Sequence, residues 1–347
     1  MSNYFENLNE EIKEYFNILS EEKPDFLNEY INTQAMQRQS AISTSCGTIY
    51  SKMFRQKWFS SLDHSVGVAL IVWNFTKDKR QTLAGLFHDI ATPVFKHTID
   101  FMNGDYETQE STEELTIKII TESKDIMELL NRDNIKVEEV SDYHIYPIAD
   151  NDTPGFSADR LEYTLANGLW EIESLWDLKE VGEIYNNIEV QKNEQGIVEI
   201  GFRELDKAEK FVHIMSKLSS MYIRNKTKFS MQFLADILKK LMNKKLITIG
   251  DLYMLSEKEI IEKIENCKEE DISKNFIIWK NAEKINESDE KPENKYSVSI
   301  NSKIRYIVPL VRQDDKFIRI NKLSEKADED INRALNYTTK KYAYLNF

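Results

Sequence analysis

The sequence predicts a mainly α-helical fold with a β-hairpin insertion and a small α+β unit near the C-terminus. Glycine and proline, which interrupt helices, number only 10 and 6 in 347 residues. Apolar residues recur three and four positions apart over long windows, which is the spacing of an amphipathic helix. Two later stretches alternate apolar and polar residues instead, as strands do.

The predicted helices of the first half follow from this apolar spacing. The first covers residues 2–20 and places Phe5, Leu8, Ile12, Tyr15 and Phe16 on one face, and Pro24 closes the segment. Four further helices are predicted over residues 63–76, 79–90, 109–122 and 157–170.

The pattern changes at Ile188, where branched apolar residues flank the turn-like Asn193-Glu-Gln-Gly196 and predict a β-hairpin over 188–202. Helical spacing resumes over 204–242, and Ser256 with Glu259 forms a capping box that opens another helix. The remaining predicted elements are strands through Tyr296, Val298 and Ile300 and through Ile304, Tyr306 and Val308, and a helix over 323–337.

We expect the chain to contain two regions, and its sequence shows no internal repeat. Residues 1–245 would form a helical domain, and residues 246–347 a helical and α+β region that contains a polar connector at 282–294.

The composition narrows the function classes. Lys and Arg total 46 against 59 Asp and Glu, a net charge of −13, so the overall field repels nucleic acids. Cys46 and Cys267 are too few for a disulfide framework or a CxxC zinc knuckle. The N-terminus lacks a secretion signal, and the apolar run at 66–75 is roughly half the ~20 residues that a spanning helix needs. We therefore expect a cytoplasmic protein without a membrane segment.

The candidate site consists of His64, the adjacent pair His88-Asp89, and Asp159. Two imidazoles and two carboxylates make a donor set that suits a divalent cation with positions left open for water. Consecutive helical residues point about 100° apart, so His88 and Asp89 share a ligand only at a helix end, which Pro93 favours. Antiparallel packing of three helices would bring these ends together.

The surrounding residues carry a family resemblance. Leu62-Asp-His-Ser-Val-Gly-Val-Ala69, Leu83-Ala-Gly-Leu-Phe-His-Asp-Ile-Ala-Thr-Pro-Val-Phe-Lys-His97 and Ala158-Asp-Arg-Leu-Glu-Tyr163 occur in the order seen in the HD superfamily of metal-dependent phosphohydrolases. Within it, the chain is most similar to SAM and HD domain type deoxynucleotide triphosphohydrolases and related bacterial HD proteins. The resemblance covers roughly residues 40–170 and implies an HD-type helical core.

The resemblance implies one divalent ion (Mn, Mg, Fe, Co or Ni) held by His64, His88, Asp89 and Asp159. It also implies a catalytic role for His97, nine residues after His88. Four positions depart from the family pattern. Ser61 and Thr92 stand where an arginine and a histidine are common, Gln109-Glu110 corresponds to a His-Glu pair, and Asn167 replaces an aspartate. These departures leave the ligand set unchanged and leave substrates other than deoxynucleotide triphosphates open.

The expected chemistry is hydrolysis of a phosphate ester. A bound cation would lower the pKa of a water molecule and polarise a phosphoryl oxygen. Asp89 or Asp159 would orient that water, and a protonated His97 would stabilise phosphoryl oxygens or the leaving group. Glu110 would fix the tautomer of His97 and raise its pKa. Tyr163, Thr92 and Gln109 are the candidate substrate contacts.

Other sites fit the sequence less well. The segment Asp150-Asn-Asp152-Thr-Pro-Gly155 resembles a calcium loop, but Pro154 and Leu161 stand where calcium ligands should be. We expect His144 to be a turn or core residue. A two-metal site is disfavoured because neither the extra histidines nor the signature of the HD-GYP phosphodiesterases is present. Cross-strand pairing is the default for the basic group Lys303, Arg305 and Arg312, and phosphate binding is its alternative.

The sequence favours an enzyme that acts on a nucleotide or another small phosphorylated molecule. The alternative is a catalytically weak HD module that acts as a nucleotide-binding or regulatory protein. A metal-dependent nuclease is a third reading, disfavoured by the acidic charge balance. Assembly into a homo-oligomer is left open.

Overall fold

The computed structural model describes residues 3–54, 56–107, 115–170 and 174–347, and within them the fold is mainly helical, as predicted. The helices of the first half are α1 (Glu10–Leu19), α2 (Asp25–Ile31), α3 (Gln34–Arg38), α4 (Ser61–Thr76), α5 (Lys79–Phe87), α6 (Thr98–Asn103), α7 (Thr116–Glu122), α8 (Lys124–Arg132) and α9 (Ala158–Trp170). The later helices are α10 (Leu178–Tyr185), α11 (Leu205–Tyr222), α12 (Asn225–Asn243), α13 (Ile249–Met254), α14 (Glu257–Glu265), α15 (Glu270–Asn281) and α16 (Glu325–Leu335). None of these described helices has the length and apolar character needed to cross a bilayer.

Helix α4 is the central element, and its twelve residues from Ser61 to Val72 are all buried. A capping box fixes its start, because the Ser60 hydroxyl accepts from the Asp63 amide and the Asp63 carboxylate accepts from the Ser60 amide. Helices α5 and α9 pack against α4. The first turn of α4 therefore lies in a fixed position against the two segments that carry the other candidate ligands.

Two small sheets accompany the helices. The predicted hairpin is confirmed as β1 (Ile188–Lys192) and β2 (Val198–Phe202). It forms a four-stranded sheet with β5 (Leu310–Gln313) and β6 (Lys316–Arg319) in the order β1-β2-β5-β6, and β2 pairs with β5 in parallel. The second sheet contains β3 (Asn286–Ser288), β4 (Ser297–Val298) and β7 (Tyr342–Tyr344) in the order β3-β7-β4.

The apolar interior consists of two clusters. The first core joins α1, α2, α4, α5 and α8–α11 to C-terminal residues such as Val308, Val311 and Ile331. The second core joins α12, α14 and α15 to Val94 and Phe95 from the loop after α5. Residues from the C-terminal part of the chain thus pack in both cores. The predicted boundary at residue 245 stays a prediction.

Several predicted elements differ in detail. The helix predicted over 2–20 begins only at Glu10, because the Asn9 side chain accepts from the Ile12 amide and caps it there. The helix predicted over 204–242 is divided into α11 and α12 at Ile223-Arg224. The polar connector contains β3, and part of the helix predicted over 109–122 lies outside the described residues. Residues 304–308, predicted as a strand, have irregular backbone.

Glu257, at the start of α14, is a buried carboxyl group that accepts from the Ser43 amide at 3.1 Å. Burial raises the pKa of Glu257 to about 8, against 4.5 for an exposed glutamate. Between these pH values the folded chain keeps a proton that the unfolded chain releases. The contribution of Glu257 to the free energy of unfolding is therefore greatest below pH 4.5, and it falls as the pH rises to about 8.

Candidate metal centre and cavity

The four predicted ligands come from three helix ends. His64 lies in the first turn of α4, His88 and Asp89 directly follow the end of α5, and Asp159 is the second residue of α9. The structure therefore brings together all four side chains, at the ends of helices that pack against one another.

Their ligand atoms converge on one point. The Nε2 atoms of His64 and His88 are 3.2 Å apart, and Asp159 Oδ1 lies 3.2 Å from the first and 3.7 Å from the second. Asp89 Oδ2 lies 3.8 Å and 3.7 Å from the same two nitrogens. A cation bound at about 2.1 Å separates neighbouring ligands by roughly 3.0–3.4 Å. The cluster is therefore close to the size that a single divalent ion requires, and the ligand atoms of His64, His88 and Asp89 all lie within 4.8 Å of one another, so these three residues could hold a metal ion.

Hydrogen bonds to the other ring nitrogens define which atoms face the centre. His88 Nδ1 lies 2.8 Å from the Gly85 carbonyl, to which it donates, and His64 Nδ1 donates to Glu162 Oε2. A ring whose Nδ1 carries the proton presents a lone pair at Nε2. With both rings neutral, two lone pairs and two carboxylate oxygens would face one another, and a bound cation would offset their mutual repulsion. This polarity fits a metal ion on chemical grounds.

Glu162 is the residue that orients His64, and the sequence analysis assigned it no role. Its carboxylate is completely buried between His64 and the Tyr15 hydroxyl, which donates to Oε1 at 3.0 Å. Space for it exists because residue 67 of α4 is glycine. A Cβ atom there would lie 2.7 Å from both Cγ and Oε1 of Glu162.

The concentration of negative charge alters the titration of the histidines. Burial, the largest single effect, lowers the pKa of His64, but the charge of Glu162 and the hydrogen bonds to Asp159 and Glu162 together raise that pKa to about 10. Burial lowers the pKa of His88. A proton therefore occupies the cluster when no metal does, and metal binding would release it.

Lys96 supplies a positive charge at the edge of the cluster. Its Nζ lies 2.6 Å from Asp89 Oδ2, and its side chain is only 10% exposed. Burial, the largest single effect, raises the pKa of Asp89, but the charges of Lys96, His88 and His64 and the hydrogen bond from Lys96 together hold that pKa well below its usual range. The left-handed backbone of Phe95 and Lys96, with φ of 64° and 44°, turns the lysine toward Asp89. The sequence analysis did not predict this contact.

His97, the predicted catalytic histidine, lines the same cavity as the four candidate ligands and makes two contacts of its own. Its Nδ1 is 2.9 Å from Oδ2 of Asp100, which is completely buried, and its Nε2 is 3.4 Å from Nη2 of Arg305. Burial lowers the pKa of His97. The carboxylate that fixes the ring is therefore Asp100. The predicted partner Glu110 and the predicted substrate contact Gln109 lie outside the described residues.

The cluster opens into a cavity of about 430 Å³. Tyr163, the predicted stacking residue, lines it half-buried, and Asn167 lines it while donating to the Tyr222 hydroxyl at 2.8 Å. Its cationic lining residues are Lys57, Lys96, Arg160, Arg224, Lys226, Lys303 and Arg305. Thr92, predicted to contact substrate, is buried; its carbonyl accepts from Arg38, and the described cavity wall does not include it.

His144 and Asp150, which were not predicted as ligands, also line this cavity. His144 sits exposed in a short 3-10 turn, Nδ1 being 3.0 Å from Asp142 Oδ1 and Nε2 3.5 Å from Asp150 Oδ2. Asp150 is buried and contacts Arg160 at 3.2 Å. His144 is thus a turn histidine, as expected.

The chain is similar to known proteins over almost its whole length. No family model matches it. The chain is 24% identical over 326 residues to the uncharacterized protein YdhJ of Bacillus subtilis, covering 92% of this chain and 94% of the relative. It is also similar to the crystal structure of a hypothetical protein from Aquifex aeolicus, with a TM-score of 0.62, 17% sequence identity and 93% of each chain covered. The fold is therefore shared with a solved structure, and the His64, His88 and Asp89 cluster is compatible with an HD-type metal site.

Proposed function

We propose that this protein is an HD-type, metal-dependent phosphohydrolase that cleaves the phosphate ester of a nucleotide or another small phosphorylated molecule. The observation that carries the proposal is the convergence of two histidine lone pairs and two aspartate oxygens on one point at the edge of a cavity. His64, His88, Asp89 and Asp159 would hold the ion.

The bound ion would supply an activated water and offset charge on the phosphoryl oxygens. The chain's own residues would orient the reacting groups. Glu162 fixes the ring of His64, and Lys96 helps to lower the pKa of Asp89. The Lys96 ammonium also lies near enough to Asp89 to attract a phosphoryl oxygen placed at the cluster.

His97 would enter the reaction as a neutral imidazole. Its Nδ1 proton is held by Asp100, so Nε2 carries a lone pair that accepts a hydrogen bond. Such a group accepts a proton from water or positions a donor. This differs from the protonated His97 predicted from the sequence, because burial lowers the pKa of the ring.

The cavity supports a small substrate. A volume of about 430 Å³ suits a ligand of nucleotide size, and seven lysine and arginine side chains line it in a protein whose net charge is −13. Tyr163 offers a ring on which a base or sugar would stack. Deoxynucleotide triphosphates are the first candidates because of the family resemblance.

A regulatory module that binds a nucleotide without turnover is the second candidate. It is favoured by Ser61 and Thr92, which stand where the resemblance expects an arginine and a histidine. Ser61 is completely buried, and neither residue belongs to the described cavity wall. This alternative expects the same metal content with no hydrolysis.

The test combines elemental analysis with a substrate screen. The purified protein would be assayed with nucleoside mono-, di- and triphosphates in Mn²⁺ and Mg²⁺, beside Asp89→Ala and the control Asp271→Ala, whose exposed carboxylate pairs with Lys240 outside this cavity. We expect one metal per wild-type and control chain, ester hydrolysis by both, and neither property in Asp89→Ala. Metal without turnover of any ester would favour the regulatory module, and absence of metal would reject both.

A further inference from the structure

One wall of the cavity comes from the C-terminal part of the chain. Residues 302–306 line it, although the metal cluster lies more than 140 positions earlier in the sequence. Two backbone hydrogen bonds attach this segment to loops of the helical body, from the Lys303 amide to the Tyr106 carbonyl at 3.1 Å and from the Val308 amide to the Pro154 carbonyl at 2.9 Å. Ile307 and Val308 are buried in the first core. The segment is thus fixed on both sides of Arg305.

Arg305 is the side chain that this wall presents to the candidate catalytic groups. Its Nη2 lies 3.4 Å from Nε2 of His97, and the residue is half-buried. The charges of Arg305 and Asp159 both act on the Tyr163 hydroxyl, with opposite effects on its pKa. Arg305 is therefore near both the predicted stacking residue and the histidine beside the metal cluster.

A second arginine of the same region behaves differently. Arg312, on β5, pairs with Glu189 on β1 through contacts of 2.7 Å and 2.5 Å, and it does not line the described cavity. The cross-strand role expected for this basic group thus applies to Arg312. Lys303 and Arg305 lie in the cavity wall instead.

We propose that Arg305 is a positioning residue that binds a phosphoryl oxygen of the substrate and holds the phosphate between His97 and the metal cluster. For the identity of the ligand, this inference rests on the proposed function. A guanidinium group binds phosphate through two parallel N–H bonds, and a charged acceptor forms bonds about twice as strong as a neutral imidazole does. The Nη2 atom that lies 3.4 Å from the His97 ring is placed to donate to a phosphoryl oxygen bound beside that ring.

The direct probe is inorganic phosphate. Its dissociation constant would be measured by calorimetry on the manganese-loaded protein, for the wild type, Arg305→Gln, Arg305→Lys and the matched control Arg312→Gln. We expect Arg305→Gln to bind phosphate about 10- to 100-fold more weakly, Arg305→Lys to recover part of the affinity, and Arg312→Gln to equal the wild type. Manganese content should be the same in all four. Equal phosphate affinity in Arg305→Gln and Arg312→Gln would overturn the proposal.

A measurement on the wild-type chain covers the case in which a variant fails to fold. Arginine modification by phenylglyoxal would be followed by mass spectrometry with and without phosphate. We expect phosphate to slow modification of Arg305 and leave Arg312 unaffected, and equal rates at Arg305 would refute the assignment.

Turnover separates this inference from the proposed function. With any ester hydrolysed in the screen, Arg305→Gln should raise KM more than it lowers kcat, because the lost contact binds the ground state as well. Absence of hydrolysis in the wild type would reject the enzyme but leave the phosphate affinities to decide the role of Arg305.

Discussion

Replacing Gly67 by alanine tests the support of the metal cluster with a single added methyl group. In the interior of a helix this change normally stabilises a protein by about 1 kcal/mol. Here the new Cβ atom would lie 2.7 Å from Cγ and Oε1 of Glu162, closer than carbon atoms can pack. Displacing a completely buried side chain in a filled interior costs about 1–3 kcal/mol. We expect a net loss of about 1 kcal/mol in the free energy of unfolding.

The same displacement should weaken metal binding. Moving Glu162 breaks its bond to Nδ1 of His64, and loss of such an orienting partner typically lowers metal affinity by about 10- to 100-fold. Affinity would be measured by competition with a chromophoric chelator, and stability by urea denaturation of the metal-free protein.

Gly182→Ala is the matched control. Gly182 lies inside α10, where an added Cβ would meet only Ile18 side-chain atoms at 3.9 Å. This variant should be as stable as the wild type or more so, with unchanged metal affinity. If Gly67→Ala equals Gly182→Ala in both measurements, the account of Glu162 as the support of His64 is wrong.

Three further predictions concern single carboxyl groups. Glu162→Gln keeps an acceptor for His64 but loses its charge, so chelator competition should show about 10-fold weaker metal binding, and unchanged affinity would contradict this. Asp100→Asn should leave metal content intact and lower kcat more than it changes KM, because the fixed tautomer of His97 is lost; a metal-deficient variant would show a structural role instead. In the wild type, Glu257 should lower the free energy of unfolding by about 1.4 kcal/mol per pH unit as the pH rises from about 5 to 8. Glu257→Gln should not show this decrease. Urea midpoints at pH 5.5 and 8 measure it, and equal pH dependence in both proteins would exclude Glu257 as the source.

The convergence of the four candidate metal ligands could be predicted from the sequence because they lie in short segments whose order and spacing carry information. Glu162 lies in the same segment as Asp159 and one helical turn beyond it, yet its role depends on Gly67 and His64 of another helix. Nothing in the spacing of α9 alone distinguishes a buried histidine partner from an ordinary helix acid.

Contacts made by the loop after α5 were harder to predict. Lys96 reaches Asp89 because two consecutive residues without glycine's freedom adopt positive φ, and no sequence pattern indicates that backbone. Asp100 stands three residues after His97 and binds its Nδ1, but the family resemblance points to Glu110 as the partner of this ring. Arg305 comes to the cavity through tertiary structure only.

The fold shows a similar limit. Apolar runs predicted α4 and α9 well because buried helices need them. Alternation at Ile304, Tyr306 and Val308 predicted a strand, but these residues form the irregular cavity wall. Alternation indicates only that one side of a segment is buried, as Val308 is. A strand also needs a pairing partner from elsewhere in the chain, and alternation does not indicate whether one is present.

The late position of residues 302–306 has a consequence for how the protein is made. Synthesis proceeds from the N-terminus, so α4, α5 and α9 leave the ribosome long before this segment is translated. A nascent chain that has not reached residue 302 therefore contains all four candidate ligands but lacks the side of the cavity that includes Arg305. Under the proposed function, the cavity that would hold the substrate is complete only when the C-terminal part of the chain has been made and has packed in the first core.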